Sequence, residues 1–292
     1  MLIHFTSFFK QLLLYALFSA VFLAFIMWMF LSLVPEQQPR IHEVVDIPAP
    51  SLTTDTWGLF DPETGTLIAG HNTDVVRPIA SITKLFTAEA VIRSAKRDTP
   101  IMIMAVDVAE EGRAGKLTYG EKTTPYSLLY PLLLESSNDA AHAITRTLGS
   151  EYETTVSTLV SSLALPHTTI RDGSGLNPGN VSTVSELAIY YAHLRHDEPH
   201  ILDITHLPLF IGESDGYINN NPARHFDTFM GGKHGLTDEA GRTFLGSFTS
   251  RDGETEIGVV LLGSDNLEAD IEALITYGTH KTKDSAIIPA HI

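Results

Sequence analysis

Residues 77–88 read RPIASITKLFTA and introduce a stretch, Ala80 to Arg93, with the apolar spacing of a single helix. Ser81 stands at its start, where serine is favoured at or near a helix N-cap. Ser81 and Lys84 are three residues apart, so their side chains share one face of such a helix. The residues around Lys84 are apolar, which is unusual for a solvated lysine. A lone S-x-x-K pair nevertheless arises by chance, and most such pairs are a helix cap beside a surface lysine.

The pattern on either side of this helix predicts the fold class. Two strands are expected before it and, after it, a block of helices, three strands and a terminal helix. The predicted strands are 56–60, 66–71, 233–237, 243–250 and 256–263, and the predicted helices are 80–93, 127–134, 139–148, 152–163, 184–194 and 267–277. Because strands and helices do not alternate as they would around a parallel sheet, we predict an α+β fold in which a mostly antiparallel sheet is covered by helices.

Two further short motifs form a set with Ser81 and Lys84. Residues 136–138 (SSN) fall in the joint between two predicted helices, and residues 233–235 (KHG) open a predicted strand. With gaps of about 50 and 95 residues, the three motifs match the S-x-x-K, S-x-N and K-T-G layout of penicillin-recognising serine enzymes. A serine nucleophile needs a base, and a lysine is a base only when burial or a second cation, here Lys233, keeps it neutral. The set predicts acyl transfer through a serine ester.

The segments that contain these motifs closely resemble those of D-alanyl-D-alanine carboxypeptidases, the low-molecular-mass penicillin-binding proteins. Residues 77–88 resemble the family's active-site segment, residues 136–141 (SSNDAA) its S-x-N segment and residues 232–241 (GKHGLTDEAG) its K-T-G strand. Residues 172–176 (DGSGL) resemble a loop that is common in the family. The resemblance extends over about residues 51–280 and implies a β-lactamase/transpeptidase-like fold there.

The resemblance also implies roles for single residues. Ser81 would be the acylated nucleophile, Lys84 its general base and Ser136 the relay of a proton to the leaving amine. The backbone N–H groups of Ser81 and Leu236 would form the oxyanion hole. The implied substrate-binding residues are Asn138 for a backbone carbonyl, Lys233 for the terminal carboxylate, and His234, Gly235 and Leu236 on the same strand. No metal ion or other cofactor is expected.

His234 departs from the family pattern. The family usually has threonine or serine at this position, and that hydroxyl donates to the terminal carboxylate of the substrate. A histidine can also donate to a carboxylate, more strongly when protonated, but its ring is bulkier. Two alternatives stay open: His234 binds the carboxylate, or His234 points away and other groups bind it.

Two polar stretches outside the motifs are expected to be loops. Residues 193–206 (HLRHDEPHILDITH) are rich in histidine, but they lack an i,i+4 helical pair with an acidic third ligand, and Pro199 interrupts any helix. We therefore predict a solvated loop rather than a metal site. Residues 213–224 (ESDGYINNNPAR) are predicted to form a surface loop beside the third motif.

The N-terminal part of the sequence predicts attachment to a membrane. No residue from Leu12 to Val34 is charged, and as a helix this run is about 35 Å long, enough for a hydrocarbon core of about 30 Å. The run is longer than the apolar region of a cleavable signal and has no convincing cleavage site. The charge bias around it favours a cytoplasmic N-terminus, so the domain would face the outer side of a bacterial cell membrane. The expected order is a cytoplasmic N-terminus (1–10), a transmembrane signal anchor (11–34), a proline-rich stalk (35–50), a catalytic domain (51–280) and a tail (281–292).

Composition limits the kinds of partner. The net charge of −16 argues against nucleic acid, whose phosphates bind clustered lysine and arginine. The sequence contains no cysteine, which excludes disulfides and thiolate metal sites.

Three functions remain open on the sequence. The first is a serine D,D-peptidase, a carboxypeptidase or an endopeptidase, that acts on peptidoglycan stem peptides ending in D-Ala-D-Ala and is inhibited by β-lactams. The second is a β-lactamase-like hydrolase, although the residues after Asp172 do not resemble the corresponding loop of class A enzymes. The third is a catalytically weak, membrane-anchored protein that binds peptidoglycan, which only His234 supports.

Overall fold

The computed structural model describes residues 48–109, 116–212, 216–250, 253 and 255–285, together with Phe22, Phe25, Met27 and Met29. The chain divides into two units, Met1–Val45 and Asp46–Ile292. In the first unit the four described residues are helical, and their side chains are exposed. The rest of the predicted N-terminus, anchor and stalk, up to residue 47, lies outside the described residues. Within the part of the chain that is described, no helix combines the length and apolarity needed to cross a bilayer.

The second unit contains short and long strands together with seven helices in its described part. The strands are β1 (Thr56–Phe60), β2 (Leu67–His71), β3 (Arg77–Pro78), β4 (Ile101–Met102), β5 (Lys122–Thr123), β6 (Val181–Ser182), β7 (Leu209–Ile211), β8 (Gly216–Ile218), β9 (Phe229–Thr237), β10 (Gly241–Thr249) and β11 (Glu256–Ser264). The helices are α1 (Thr83–Arg93), α2 (Leu129–Leu134), α3 (Asn138–Leu148), α4 (Ser150–Ser162), α5 (Val184–Asp197), α6 (Pro199–His206) and α7 (Leu267–Ser285).

A five-stranded antiparallel sheet, in the order β2-β1-β11-β10-β9, forms the centre of this unit. Both faces of this sheet are covered by helices. Because successive side chains on a strand point to opposite sides, one strand contributes to the cores on both faces. On β11, Val260 and Leu262 join a core shared with α1 to α6, whereas Val259 and Leu261 join a second core against α7. The predicted α+β fold, an antiparallel sheet covered by helices, is confirmed.

The end of the sheet meets the start of α1. β9 is the last strand of the sheet, and a 3-10 turn, Ala80–Ile82, packs against it. This turn leads directly into α1, whose residues are buried along most of its length. The chain thereby brings together residues of the first and third motifs, which are far apart in the sequence.

Several segments differ from the predictions. Residues 193–206 are the end of α5 and all of α6 rather than a loop, because Pro199 takes the first position of α6, where its missing N–H is not needed. Part of the predicted loop 213–224 is a strand, since β8 pairs with β7. α7 continues to Ser285, past its predicted end and into the predicted tail. No proline follows Tyr277 up to that point, and lysines in this part of the sequence suit a helix C-terminus.

Candidate active site

Ser81 and Lys84 are neighbours at the beginning of α1. Ser81 lies in the turn Ala80–Ile82, and Lys84 is the second residue of the helix. The Nζ atom of Lys84 is 2.8 Å from Ser81 Oγ. Neither the turn nor α1 has a side-chain cap, so Ser81 does not act as the predicted N-cap and its hydroxyl contacts the lysine instead.

Lys84 is completely buried, and its amine has three partners. Besides Ser81 Oγ, it donates to Asn138 Oδ1 at 2.8 Å and to the carbonyl oxygen of Ser174 at 2.5 Å. Burial lowers the pKa of Lys84 to about 7, while the nearby Asp172 carboxylate acts in the opposite direction. A substantial share of Lys84 is therefore neutral at pH 7 and able to accept a proton from Ser81.

Gly235, in the third motif, brings β9 against Ser81. A Cβ atom at Gly235 would lie 2.6 Å from Ser81 N and 2.8 Å from Ala80 Cβ, closer than side chains approach other atoms in proteins. The next strand is attached to the same turn, because Thr243 Oγ1 donates to the Ile79 carbonyl oxygen at 3.0 Å. Glycine is required here by the space available, and it lets the strand backbone lie directly beside Ser81.

The other residues of the third motif flank this contact. Lys233 is buried, with 1% of its surface exposed, and its Nζ donates to the His234 carbonyl oxygen at 2.7 Å. His234 is half-buried and lies opposite Phe244 in the register of β9 and β10. Leu236 is 61% exposed. Because successive side chains on a strand point to opposite faces, Lys233 and Gly235 share the face of β9 that contacts Ser81, and His234 lies on the other face.

The second motif connects α2 to α3. Ser136 is buried and has a φ of +61°, a left-handed conformation that is uncommon for a residue other than glycine. Ser137 is the N-cap of α3, because its Oγ accepts a hydrogen bond from Ala140 N–H at 2.9 Å. Asn138 is the first residue of α3, so this cap fixes the position from which Asn138 reaches Lys84.

Residues 172–175 contribute a group that the predicted site did not include, the Ser174 carbonyl. The Asp172 carboxylate organises this loop by accepting hydrogen bonds from the N–H groups of Ser174 at 2.9 Å and Gly175 at 2.6 Å. Gly175 has a φ of +86°, and any Cβ there would overlap the Ala80 carbonyl oxygen. The sequence DGSG signals a turn of this kind. It does not reveal that one carbonyl of the turn faces a lysine 90 positions earlier.

The predicted site residues therefore fall into two groups. Direct contacts join Ser81, Lys84, Asn138 and Gly235 across α1, α3 and β9. The remaining predicted residues lie on the segments that supply these contacts, namely Ser136, Lys233, His234 and Leu236. Chemically, the first group places a serine hydroxyl beside a lysine that can be neutral at physiological pH.

The histidines of residues 193–206 contact separate partners. His193 Nε2 is 2.7 Å from Glu89, and the hydrogen bond to this carboxylate raises the pKa of His193. His200 Nε2 is 2.6 Å from the Tyr126 hydroxyl. Across the described ranges, no three His, Cys, Asp or Glu side chains are grouped in a way that could hold a metal ion.

Comparison with known proteins identifies relatives of this site and fold. The sequence is 27% identical over 212 residues to a D-alanyl-D-alanine carboxypeptidase of Mycobacterium tuberculosis, which covers 69% of this chain and 72% of that protein. It is 26% identical over 219 residues to a D-alanyl-D-alanine endopeptidase of Haemophilus influenzae, covering 70% of this chain and 74% of the relative.

Solved structures share the fold. The crystal structure of a D-alanyl-D-alanine carboxypeptidase from M. tuberculosis superimposes with a TM-score of 0.72 and 23% identity, over 85% of this chain and 96% of that one. A DD-transpeptidase of Streptomyces gives a TM-score of 0.70 and 22% identity, over 81% and 100% of the two chains. At these identities the superpositions establish the fold, which is the predicted transpeptidase-like one. The profile of the D-alanyl-D-alanine carboxypeptidase family matches residues 43–266, and the chain therefore belongs to this family of peptidases.

Proposed function

We propose that this protein is a serine D-alanyl-D-alanine peptidase that acts on peptidoglycan stem peptides through an acyl-enzyme on Ser81. The observation that carries the proposal is the Ser81–Lys84 pair, in which a completely buried lysine with a pKa of about 7 lies 2.8 Å from the serine hydroxyl. The relatives named above include a carboxypeptidase and an endopeptidase, so both activities are consistent with membership of the family.

The reaction would begin with proton transfer from Ser81 to neutral Lys84. Ser81 Oγ then attacks the carbonyl carbon of the penultimate D-Ala, and the charge on the carbonyl oxygen is stabilised by the N–H groups of Ser81 and Leu236, at about 3–4 kcal/mol for each donor. The C–N bond breaks as Ser136 relays a proton to the leaving amine. Water then hydrolyses the ester and regenerates the serine.

Substrate recognition would use the two segments on either side of Ser81. Asn138 would donate to a backbone carbonyl of the stem peptide through its amide NH₂. Lys233 and His234 would attract the terminal carboxylate, and Gly235 would let the substrate backbone lie along β9. The requirement for a terminal carboxylate favours a carboxypeptidase, whereas a cross-linked substrate would have to place its own free carboxylate in the same position.

A β-lactamase-like function is less consistent with the loop after α4. Class A β-lactamases deacylate with a glutamate that activates water. The acidic residue in the comparable interval here is Asp172, and both of its carboxylate oxygens already accept hydrogen bonds from the N–H groups of its own loop. Rapid turnover of nitrocefin would favour the lactamase, whereas slow labelling in a one-to-one ratio favours the peptidase.

We also propose that residues 11–34 anchor the protein in a bacterial cell membrane, with residues 35–50 as a stalk and the catalytic domain, 51–280, on the outer side. The uncharged run from Leu12 to Val34 supports this arrangement. It is consistent with a substrate in the cell wall, which is located outside the membrane.

The decisive experiment is to incubate the protein with a fluorescent penicillin and to map the labelled residue by mass spectrometry. We expect one label, on Ser81, and none in Ser81→Ala. Parallel incubation with a D-Ala-D-Ala pentapeptide and with a cross-linked stem-peptide dimer should release D-Ala or monomer and so separate carboxypeptidase from endopeptidase. A label that is unchanged in Ser81→Ala would reject the assignment of the nucleophile. A labelled protein that cleaves neither peptide would be a binding protein instead.

A further inference from the structure

Glu135, the residue before Ser136, connects three separate segments of the chain. It is buried, and its Oε1 accepts hydrogen bonds from Lys116 Nζ at 2.6 Å and from Ile218 N–H at 3.3 Å. Its backbone carbonyl accepts from Asn220 Nδ2 at 2.7 Å. Asn220 N–H also donates to the carbonyl oxygen of Leu134 at 2.9 Å. The end of α2 is thus attached to the loop at residue 116 and to the residues that follow β8.

Ser136 needs such support because of its backbone conformation. Its φ of +61° is one that glycine usually supplies at the end of a helix, and a serine adopts it only when the surroundings impose it. On the C-terminal side, Ser137 is fixed by its N–H bond to the Pro131 carbonyl oxygen at 3.0 Å and by its role as the N-cap of α3. On the N-terminal side, the chain is held by the carboxylate and backbone carbonyl of Glu135, together with the bond from Asn220 N–H to the Leu134 carbonyl oxygen.

From this geometry we infer that Glu135 is a positioning residue for Ser136, acting together with Lys116 and Asn220. The inference rests on the proposed function, in which Ser136 passes a proton to the leaving amine. The Glu135 carboxylate does not contact the reacting atoms itself. It connects the β7–β8 hairpin and the loop at Lys116 to the end of α2, so the orientation of the Ser136 hydroxyl depends on contacts with segments outside the three motifs.

This role has a signature that a general loss of stability does not have. An amine leaves only after it is protonated, so cleavage of an amide depends strongly on the proton relay. A lactate leaves from the corresponding ester as a much weaker base and depends on the relay far less. Misplacing Ser136 should therefore slow cleavage of a D-Ala-D-Ala peptide much more than cleavage of the matched D-Ala-D-lactate peptide.

The experiment measures kcat/KM for both substrates with the full chain and four variants: Glu135→Gln, Ser136→Ala, the double variant, and Glu121→Gln. Glu121 is a matched control, because its carboxylate accepts hydrogen bonds from Thr118 in the same loop and contacts none of the three motifs. We expect Glu135→Gln to lose about 10-fold on the amide, since small displacements of a reacting group have effects of this size, and less than 3-fold on the ester. The substitution should add nothing in the Ser136→Ala background, and Glu121→Gln should match the wild type.

Equal losses on amide and ester, no loss at all, or full additivity with Ser136→Ala would each overturn the inference. A different result would overturn the proposed function instead: Ser136→Ala that fails to discriminate between amide and ester removes the relay role from Ser136 itself. If Glu135→Gln does not fold, Lys116→Met decides, because the Lys116 side chain is largely exposed and can be replaced without disturbing the core. Lys116→Met should then show the same preference for the ester, and its absence would overturn the inference.

Discussion

At the scale of the residue, burial of Lys84 should set the pH range in which the enzyme works, if Lys84 is the general base proposed above. The base must be neutral, and the pKa of Lys84 is lowered from its ordinary value to about 7 by burial. As the pH falls below 7, the neutral fraction decreases tenfold per unit, so the rate of acylation should decrease with it. We predict that the rate of acylation by a fluorescent penicillin follows a single ionisation near pH 7 on its acidic side.

Lys84→Arg provides the check on this assignment. Arginine keeps the positive charge but does not lose its proton in proteins. The variant should label more than about 100-fold more slowly at every pH, as expected when a general base is lost. An acidic limb that persists with its midpoint unchanged in this variant would show that another group sets the pH dependence.

His234 should set the opposite limb if it binds the substrate carboxylate. A protonated imidazole donates more strongly to a carboxylate, and the unperturbed pKa of histidine is about 6.5. Lys84 must then be neutral while His234 is charged, so kcat/KM for a D-Ala-D-Ala peptide should follow a narrow bell.

His234→Thr should restore a hydroxyl donor that does not titrate in this range. We predict that the variant keeps its activity above pH 7 and exceeds the wild type by about 10-fold at pH 8.5, where an ordinary histidine is almost fully neutral. The measurement is kcat/KM against pH for the two proteins side by side. Profiles of the same shape would mean that His234 does not bind the carboxylate and that other groups do.

The sequence allowed contacts between single residues to be predicted where side chains make those contacts. Ser81 and Lys84 were expected to share a helix face, and the structure places them in hydrogen-bond contact. The roles of the eight predicted site residues stay predictions. The Ser174 carbonyl and the contacts of Glu135 could not be predicted, because a backbone oxygen has no sequence signature and ion pairs between distant loops have no periodicity.

At the scale of the element, the approach of β9 to the turn before α1 depends on Gly235. A methyl group at this position would lie 2.6 Å from Ser81 N and 2.7 Å from Thr243 Oγ1. These atoms belong to a turn and a strand that are both fixed, so β9 would have to move away from Ser81. The movement would separate the Leu236 N–H from the carbonyl oxygen that it is proposed to stabilise.

We therefore predict that Gly235→Ala lowers the rate of penicillin acylation about 100-fold, the effect of losing one oxyanion donor. Gly216→Ala is the matched control, since Gly216 is also a strand glycine but a Cβ there would meet only the Phe210 carbonyl oxygen at 3.7 Å. Its acylation rate should be that of the wild type. Thermal unfolding of both variants would show whether the lower acylation rate comes from a change at the site or from a less stable sheet. Normal acylation of Gly235→Ala would contradict the close approach of β9.

Helices and strands whose apolar residues recur at a regular spacing were predicted correctly. Elements whose ends depend on a single proline or glycine were not. β1, β10, β11 and α1 follow from apolar spacing and lie where expected within a few residues. Residues 193–206 were assigned to a loop because Pro199 was taken as a break, whereas a proline at the first position begins a helix. β9 begins at Phe229, ahead of the predicted Lys233, because two glycines with positive φ let the strand continue through an irregular pairing with β10.

At the scale of the whole molecule, the site lies on the helical side of the central sheet, beside the core to which Ile79, Ile82 and Leu85 belong. The helical core and the core against α7 share the sheet, and Ser81 lies at the boundary between the helices and the sheet's last strand. Element order was enough to predict the layered fold. The order of the elements did not predict which edge of the sheet faces α1, because pairing of strands far apart in sequence has no local signal in the sequence. Only the resemblance to a known family indicated that the three motifs lie together.

We expect the predicted attachment to a membrane to be separable from catalysis. An uncharged run of this length inserts stably, so the full-length protein should stay with membranes after washing at high salt and alkaline pH.

A variant that starts at residue 48 should be recovered in the supernatant. Its kcat/KM for a D-Ala-D-Ala pentapeptide should be within about 2-fold of the full-length value, because the three motifs and both cores lie beyond this point. Activity on intact cell walls should fall more steeply, since an anchor at residues 11–34 would hold the enzyme near its substrate and raise its effective concentration there. If the protein expressed from the full sequence is recovered from the medium with a new N-terminus near residue 35, the apolar run is a cleaved signal and not an anchor.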